Sequence, residues 1–174
     1  MTLGWPFPNE PADNKTVTDN YVGTAMKRMG VWSDNEMRAY LEQAIIPIRL
    51  AVQNKRGPLA LSLWFIPIEG VLWCATSGSA RLIDYLRAEP RCGFEVAADQ
   101  PPYRGVRGQG VAHLHPQEGA SILLRLLDRY SIAPESPLAR NLLSRSDQEM
   151  AIAVEPVTMT SWDFTVRMKG AVTV

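Results

Sequence analysis

"PPYRGVRGQGVAHLHP", residues 101–116, decides how the rest of the chain is read. Gly105, Gly108 and Gly110, with Arg104 and Arg107 among them, have the composition of a loop that cradles a phosphate. The context excludes that. A P-loop passes from a glycine-rich turn into a helix through Lys-Ser or Lys-Thr, and neither follows here. A dinucleotide fingerprint needs a parallel strand–turn–helix unit, which is also missing. Residues 103–115 alternate like a strand, and glycines inside a strand mark bulges or the close approach of another group. Arg104 and Arg107, three apart, face opposite sides of a regular strand.

The neighbouring segments share the two-residue period. "IPIRLAVQ" (46–53) and "LALSLWFIPI" (59–68) are strand-like runs joined by the turn signal "NKRGP". "VLWCAT" (71–76), "CGFEVAA" (92–98) and "MAIAVEPVTMTSWDF" (150–164) add further strands, the last being one or two. Helices punctuate them. Ser33 and Glu36 form a capping box before a helix over 34–44, with Met37, Tyr40, Leu41 and Ala44 at helical spacing. Leu82, Tyr85 and Leu86 share one helix face, and Pro90 stops that helix. "QEGASILLRLLDRY" (117–130) carries Ile122, Leu123, Leu126, Leu127 and Tyr130 on one side. "SPLARNLLSR" (136–145) opens with Ser136 as a cap and Pro137 at the first helical position. Residues 1–16 read as an extended arm, and 17–29 as a short helix with Val22, Met26 and Met29 as its stripe. Short strands in meander order with a few helices imply an antiparallel barrel or sandwich with helices at its ends.

Composition narrows the function. The 174 residues carry 18 basic and 18 acidic side chains, so nothing electrostatic points to nucleic acid. No apolar run approaches the roughly 18 residues of a membrane span. The opening residues lack a basic start followed by an apolar core, so a soluble, cytoplasmic protein is expected. Cys74 and Cys92 sit in apolar surroundings and read as reduced core residues. With His113 and His115 they would supply four nitrogen and sulfur ligands, but the spacing fits no zinc pattern, and no metal is assigned. His113 and His115 share one strand face, with a surface or interface role. No Ser-His-acid or Cys-His arrangement emerges.

The order of four segments resembles the split β-barrel flavoproteins typified by pyridoxamine 5'-phosphate oxidase and the related deazaflavin-dependent reductases. The likeness spans about residues 40 to 165. It rests on the hairpin and apolar strand in "LAVQNKRGPLALSLWF" and on "LWCATSGSARLIDYLRAEPR", with Thr76, Ser79, Arg81, Leu86 and Pro90. An "RxVRxxG" pattern follows, matched by Arg104, Val106, Arg107 and Gly110. The resemblance implies a mainly β (α+β) fold, a six-stranded antiparallel split β-barrel with flanking helices. It divides the chain into an arm and short helix (1–32) and an FMN-binding barrel domain (33–174).

The resemblance also implies a site. Thr76, Ser77, Ser79 and Arg81 would hold the flavin phosphate, where helix amides, a hydroxyl and a cation converge on a dianion. Leu61, Ser62, Leu63 and Trp64 would lie along the isoalloxazine ring, and one of Arg104 and Arg107 near the cofactor. Leu82 and Ala80 stand where the family has lysine and serine. Either the turn is one residue shorter with Arg81 replacing the lysine, or a phosphate ligand is missing. Strict oxidase activity is poorly matched: Gly105 replaces a glutamine, "ALSLW" lacks basic residues, and Trp162, Arg167 and Lys169 have a different layout from its substrate segment. The implied function is an FMN-dependent oxidoreductase acting on a small organic substrate, as a homodimer with the cofactor between subunits. A deazaflavin coenzyme and a non-catalytic flavin- or haem-binding module are the alternatives. Trp64, Trp73 and Trp162 are core or dimer-interface aromatics, or contacts to a ring cofactor.

Overall fold

The computed structural model describes residues 26–170. Its strands are β1 (Lys27–Gly30), β2 (Ile48–Asn54), β3 (Gly57–Leu63), β4 (Phe65–Ile68), β5 (Val71–Ser77), β6 (Arg91–Ala97), β7 (Arg104–His115) and β8 (Glu149–Asp163). Its helices are α1 (Asp34–Gln43), α2 (Arg81–Ala88), α3 (Gly119–Arg129) and α4 (Pro137–Leu143). One sheet runs in the order β3-β2-β6-β7-β8-β5-β4, antiparallel throughout, with β1 added in parallel on β8.

The opening stretch is indeed a strand, and its glycines are there for close approach. β7 is paired on both sides, to β6 and β8. A Cβ on Gly108 would collide with the Thr158 carbonyl oxygen and come within 2.6 Å of the Phe94 ring. Gly110 lies where the β7–β8 register shifts: Gln109 pairs Thr158, but Gly110 pairs Pro156, leaving Val157 as the bulged residue.

Alternation makes the interior. Ile48, Leu50 and Val52 are buried while Arg49, Ala51 and Gln53 are exposed, as the period of two requires. The β2–β3 turn is tight, with Asn54 paired to Gly57 and Gly57 at φ +125°. Phe65, Leu72, Cys74, Phe94, Val96, Val106, Ile152 and Val154 complete the barrel core, with Met37 and Leu41 of α1 and Leu82, Ile83 and Leu86 of α2. The Ser33–Glu36 capping box is present. α3 packs on the outer side of the sheet, where Ile122 and Leu126 meet Ala151, Trp73 and Ile66. Ser136 caps α4 through the Ala139 amide at 3.1 Å.

Two expectations need correction. Residues 59–68 are not one regular strand: the run breaks at Trp64, β3 pairing with β2 and β4 with β5. The cause lies in α3–β contacts. The Phe65 amide donates to Tyr130 Oη (3.3 Å), that hydroxyl donates to the Ile46 carbonyl (2.9 Å), and the Trp64 and Tyr130 rings stack 5.0 Å apart. β3 and β4 thus form opposite edges of the sheet although they are contiguous in the chain, and the barrel is split between them. The six expected strands are β2, the bent β3–β4, β5, β6, β7 and β8. Second, the helix expected over 17–29 ends in strand: Lys27–Gly30 pairs with Thr158–Ser161, continuing along β8 beyond the part that β5 covers. Backbone pairing outweighs the weak stripe, since all four β1 residues, Met29 among them, are exposed. The arm at 1–16 and the rest of that helix lie outside the described residues.

The crowding at Gly108 gives a test of the fold. Gly108→Ala should lower stability by about 2–3 kcal/mol, because backbone and a buried ring must give way. Gln109→Ala, exposed on the same strand, should stay within about 0.5 kcal/mol of the parent. Chemical denaturation of the three proteins checks both.

Candidate functional site

The break at Trp64 opens a cavity of about 430 Å³ between the sheet and the two long-range helices α3 and α4. Ser62, Leu63 and Trp64 form one side, and Ala75, Thr76 and Ser77 of β5 another. Leu123 and Leu126 of α3 and Leu142 of α4 supply an apolar wall. Arg145 and Glu149 bring the charge. A largely apolar cleft with a few convergent polar groups is the usual form of a small-molecule site.

The turn from β5 into α2 sits at one end of this cleft. Ser77 Oγ and Ser79 Oγ lie 2.9 Å apart, and the Ser79 amide donates to Ser77 Oγ at 3.3 Å. The Gly78 amide is anchored to the Gln148 carbonyl at 2.8 Å. Ala80 stands at the cap position of α2 and offers no side-chain acceptor. The first amides of the helix are therefore open to an outside acceptor, which the helix dipole biases toward an anion. Arg81 begins the helix exposed, while Leu82 is buried in the core. The turn thus presents Arg81, not residue 82, to solvent. These groups fit a phosphate: two hydroxyls, free helix amides and a cation on one short turn.

β3 is an edge strand, bonded only to β2. The backbone of Leu61–Leu63 therefore keeps one unpaired side, able to bond the polar rim of a flat ring. Trp64, stacked on Tyr130, is fixed beside it.

The two arginines of β7 lie elsewhere. Arg107 shares a shallow groove of about 510 Å³ with Arg49, Glu95, Ala51, Ala60 and Thr160 on the open face of the sheet. Its guanidinium stands 5.3 Å over the Trp162 ring. Successive strands place Ser62, Arg49, Glu95 and Arg107 in one cross-strand row. Arg107 is therefore roughly 14 Å from Ser62, three strand spacings away. Arg104 is exposed at the start of β7, where its carbonyl accepts from Tyr40 Oη at 3.1 Å. On a single chain, then, Ser62, Leu63, Trp64, Thr76 and Ser77 share one cleft, with Leu61, Ser79 and Arg81 adjoining it in sequence. Arg104 and Arg107 stand apart.

Arg145, Glu149, Leu142 and Arg49 escaped the sequence reading. Arg145 comes from the connection between α4 and β8 and Glu149 from the first position of β8, whose place beside β5 no local pattern reveals. One signal existed: Glu149 is in phase with Ala151 and Ala153, so extending the last strand by one residue puts a carboxylate on a covered face. Burial pushes the Glu149 pKa up, and nearby Arg145 opposes that.

The other singled-out residues have ordinary surroundings. Cys74 and Cys92 are free and buried, and burial raises both thiols, Cys92 to about 12. His113 Nε2 is 3.6 Å from Glu155 on the surface, and the His115 ring is 5.2 Å from that of Trp73. Among the described residues no cluster of three His, Cys, Asp or Glu could hold a metal, and no helix is long and apolar enough to cross a membrane.

No protein-family model and no curated protein matches the chain. Solved structures do. A conserved hypothetical protein from Mycobacterium tuberculosis superposes with a TM-score of 0.65 at 22% identity, over 83% of this chain and 91% of that one. An F420 reductase gives 0.61 at 22% identity, over 74% and 98%. A candidate pyridoxamine 5'-phosphate oxidase from Listeria innocua gives 0.57 at 17% identity, over 73% and 95%. At these identities the likeness is one of architecture: the chain has the split-barrel fold of pyridoxamine 5'-phosphate oxidase-like proteins and F420 reductases.

Proposed function

We propose that this protein is a flavin-dependent oxidoreductase, cytoplasmic and dimeric, that binds FMN and acts on a small organic substrate. The observation that carries the reading is the cleft that joins Ser62–Trp64 to Thr76–Ser77 beside the uncapped start of α2. Ser77, Ser79, Arg81 and the first α2 amides would hold the phosphate. The free edge of β3 would bond the rim of the ring, and Trp64 with Leu123 and Leu126 would keep water from it. The cofactor itself supplies the electron transfer, so the chain needs no nucleophile or metal. What it contributes is position and exclusion of solvent.

Arg104 and Arg107 enter this reading through a second copy of the chain. The open face around Arg107 holds small residues, Ala51, Ala60 and Gly93, that let another sheet approach closely. Arg49, Glu95 and Arg107 alternate in sign across adjacent strands, a row that a two-fold partner can match with its own. Arg107 of one copy would then complete the site on the other. A deazaflavin coenzyme is the second reading, favoured by the likeness to an F420 reductase. A binding module that never turns over is the third.

The absorption spectrum of freshly purified protein, with mass spectrometry of the small molecule released by heat, separates these. Flavin bands near those of free FMN and the FMN mass support the first reading. A deazaflavin mass supports the second, and a haem Soret band the third. Turnover with a reduced nicotinamide donor is expected for the enzyme and not for the module.

Arg81→Ala should weaken FMN binding by about ten- to a hundredfold, the loss of one charge-assisted contact worth about 1.5–3 kcal/mol. Arg140→Ala, exposed on α4, should change it little. Fluorescence titration of the apo-proteins measures both, and unchanged binding by Arg81→Ala would remove the phosphate assignment. Light scattering during gel filtration should give twice the 19.4 kDa chain mass. A clean monomer would take the partner's Arg107 out of the site.

A further inference from the structure

Glu149 opens β8 directly opposite Ser77 of β5. It is only 7% exposed, yet it lines the cleft beside Ser62, Trp64 and Arg145. Among the described residues its carboxylate has no hydrogen bond and no ion pair. A carboxylate so placed feels the charge of nearby Arg145 but has no hydrogen-bond partner of its own, and it lines the space where a ligand would lie. We infer that the Glu149 carboxyl determines which small molecule the cleft accepts: it takes a hydrogen-bond donor from the ligand and opposes an anionic group placed beside Ser77. This rests on the flavin reading of the cleft and adds a selection to it.

The surroundings leave Glu149 as the dominant negative charge. β3 presents Ser62 and Leu63, β5 presents Ala75, Thr76 and Ser77, and α3 and α4 present Leu123, Leu126 and Leu142. Arg145 is the other charged group in the lining. α3 begins with Gly119 against the Glu149 carbonyl, and Glu118 just before it is exposed and bonded to Ser121 Oγ. Asp147, two residues back, is exposed as well. Beside apolar walls, repulsion between carboxylate and phosphate is weakly screened.

The sign of the pH effect follows. Burial already favours the protonated acid, and a neighbouring dianion favours it further. Binding a phosphate here is therefore coupled to proton uptake, and affinity rises as pH falls. An uncharged ligand that donates N–H or O–H to the carboxyl gains nothing from that proton. FMN and riboflavin, alike but for the phosphate, are the probes.

Both are titrated into the full-length apo-protein at about pH 8 and about pH 6, with fluorescence quenching as the readout. Glu149→Gln should raise FMN affinity at the higher pH by about tenfold and leave riboflavin within about twofold. Toward the lower pH the ratio of FMN to riboflavin affinity should rise in the parent relative to Glu149→Gln, in which only the phosphate, with its second pKa of about 6, still titrates. Glu149→Ala should raise FMN affinity at the higher pH in the same way, so the readout does not depend on one variant folding. FMN affinity unchanged in both variants, or a pH dependence of the ratio identical in parent and variant, overturns the role of Glu149 while flavin binding persists. Failure of both flavins to bind at either pH overturns the flavin reading with it.

Discussion

A clasp at the end of α3 holds the rest of the molecule in place. Arg129 reaches past its own helix and donates to the carbonyls of Leu41, Glu42 and Ala44, each at 2.9 Å. α1 has no basic residue in its last turn, so a cation from another helix satisfies its exposed carbonyls and its dipole. The same guanidinium lies 5.2 Å from the centre of the Phe65 ring. Next to it, Tyr130 joins Ile46 to Phe65 through one hydroxyl. Two consecutive side chains thus fix the end of α1, the entry to β2 and the break between β3 and β4. Because Trp64 stacks on Tyr130, the wall of the cleft is set by the clasp as well. The site is a consequence of how the barrel is fastened.

What was legible in the sequence is what local pattern can carry. Ile48, Leu50 and Val52 alternate because one face of β2 is buried, and the capping box of α1 is complete within four residues. The glycines of residues 105–110 announced crowding, and the structure shows what crowds them. The break at Trp64 was not legible, since "LWF" (63–65) has no glycine or proline and the cause is Tyr130, more than sixty residues away. β1 was misread for a related reason. Its side chains are exposed, and what holds the segment is backbone pairing to β8 with the Trp32 amide on Ser161 Oγ at 2.9 Å. No period records that.

The candidate site divides along the same line. The resemblance gathered Ser62–Trp64 and Thr76–Ser77, which do share a cleft, because both runs lie on strands whose order the motif preserves. It also grouped Arg104 and Arg107 with them, and along a single chain the sheet sets these three strands away. Arg145 was not legible and Glu149 only through its phase with the last strand, because both are brought toward Ser77 by the long connection through α3 and α4. Their contribution is electrostatic and depends on the apolar helices beside them. A motif reports residues that touch a shared ligand more readily than residues that tune the space around it.

The contiguity of β3 and β4 has a consequence for how the molecule comes apart. Sheets ordinarily fray from an outermost strand, and each margin can loosen without disturbing the other. Here both margins belong to the twelve residues from Gly57 to Ile68. A segment peeled from β2 pulls on its own continuation along β5, and the Tyr130 hydroxyl resists at the point between them. Local opening on one side is thereby transmitted to the other, and partial unravelling becomes a concerted event. Among the described residues only the short β1, held by β8 alone, is free to fray by itself; the two margins formed by β3 and β4 open together.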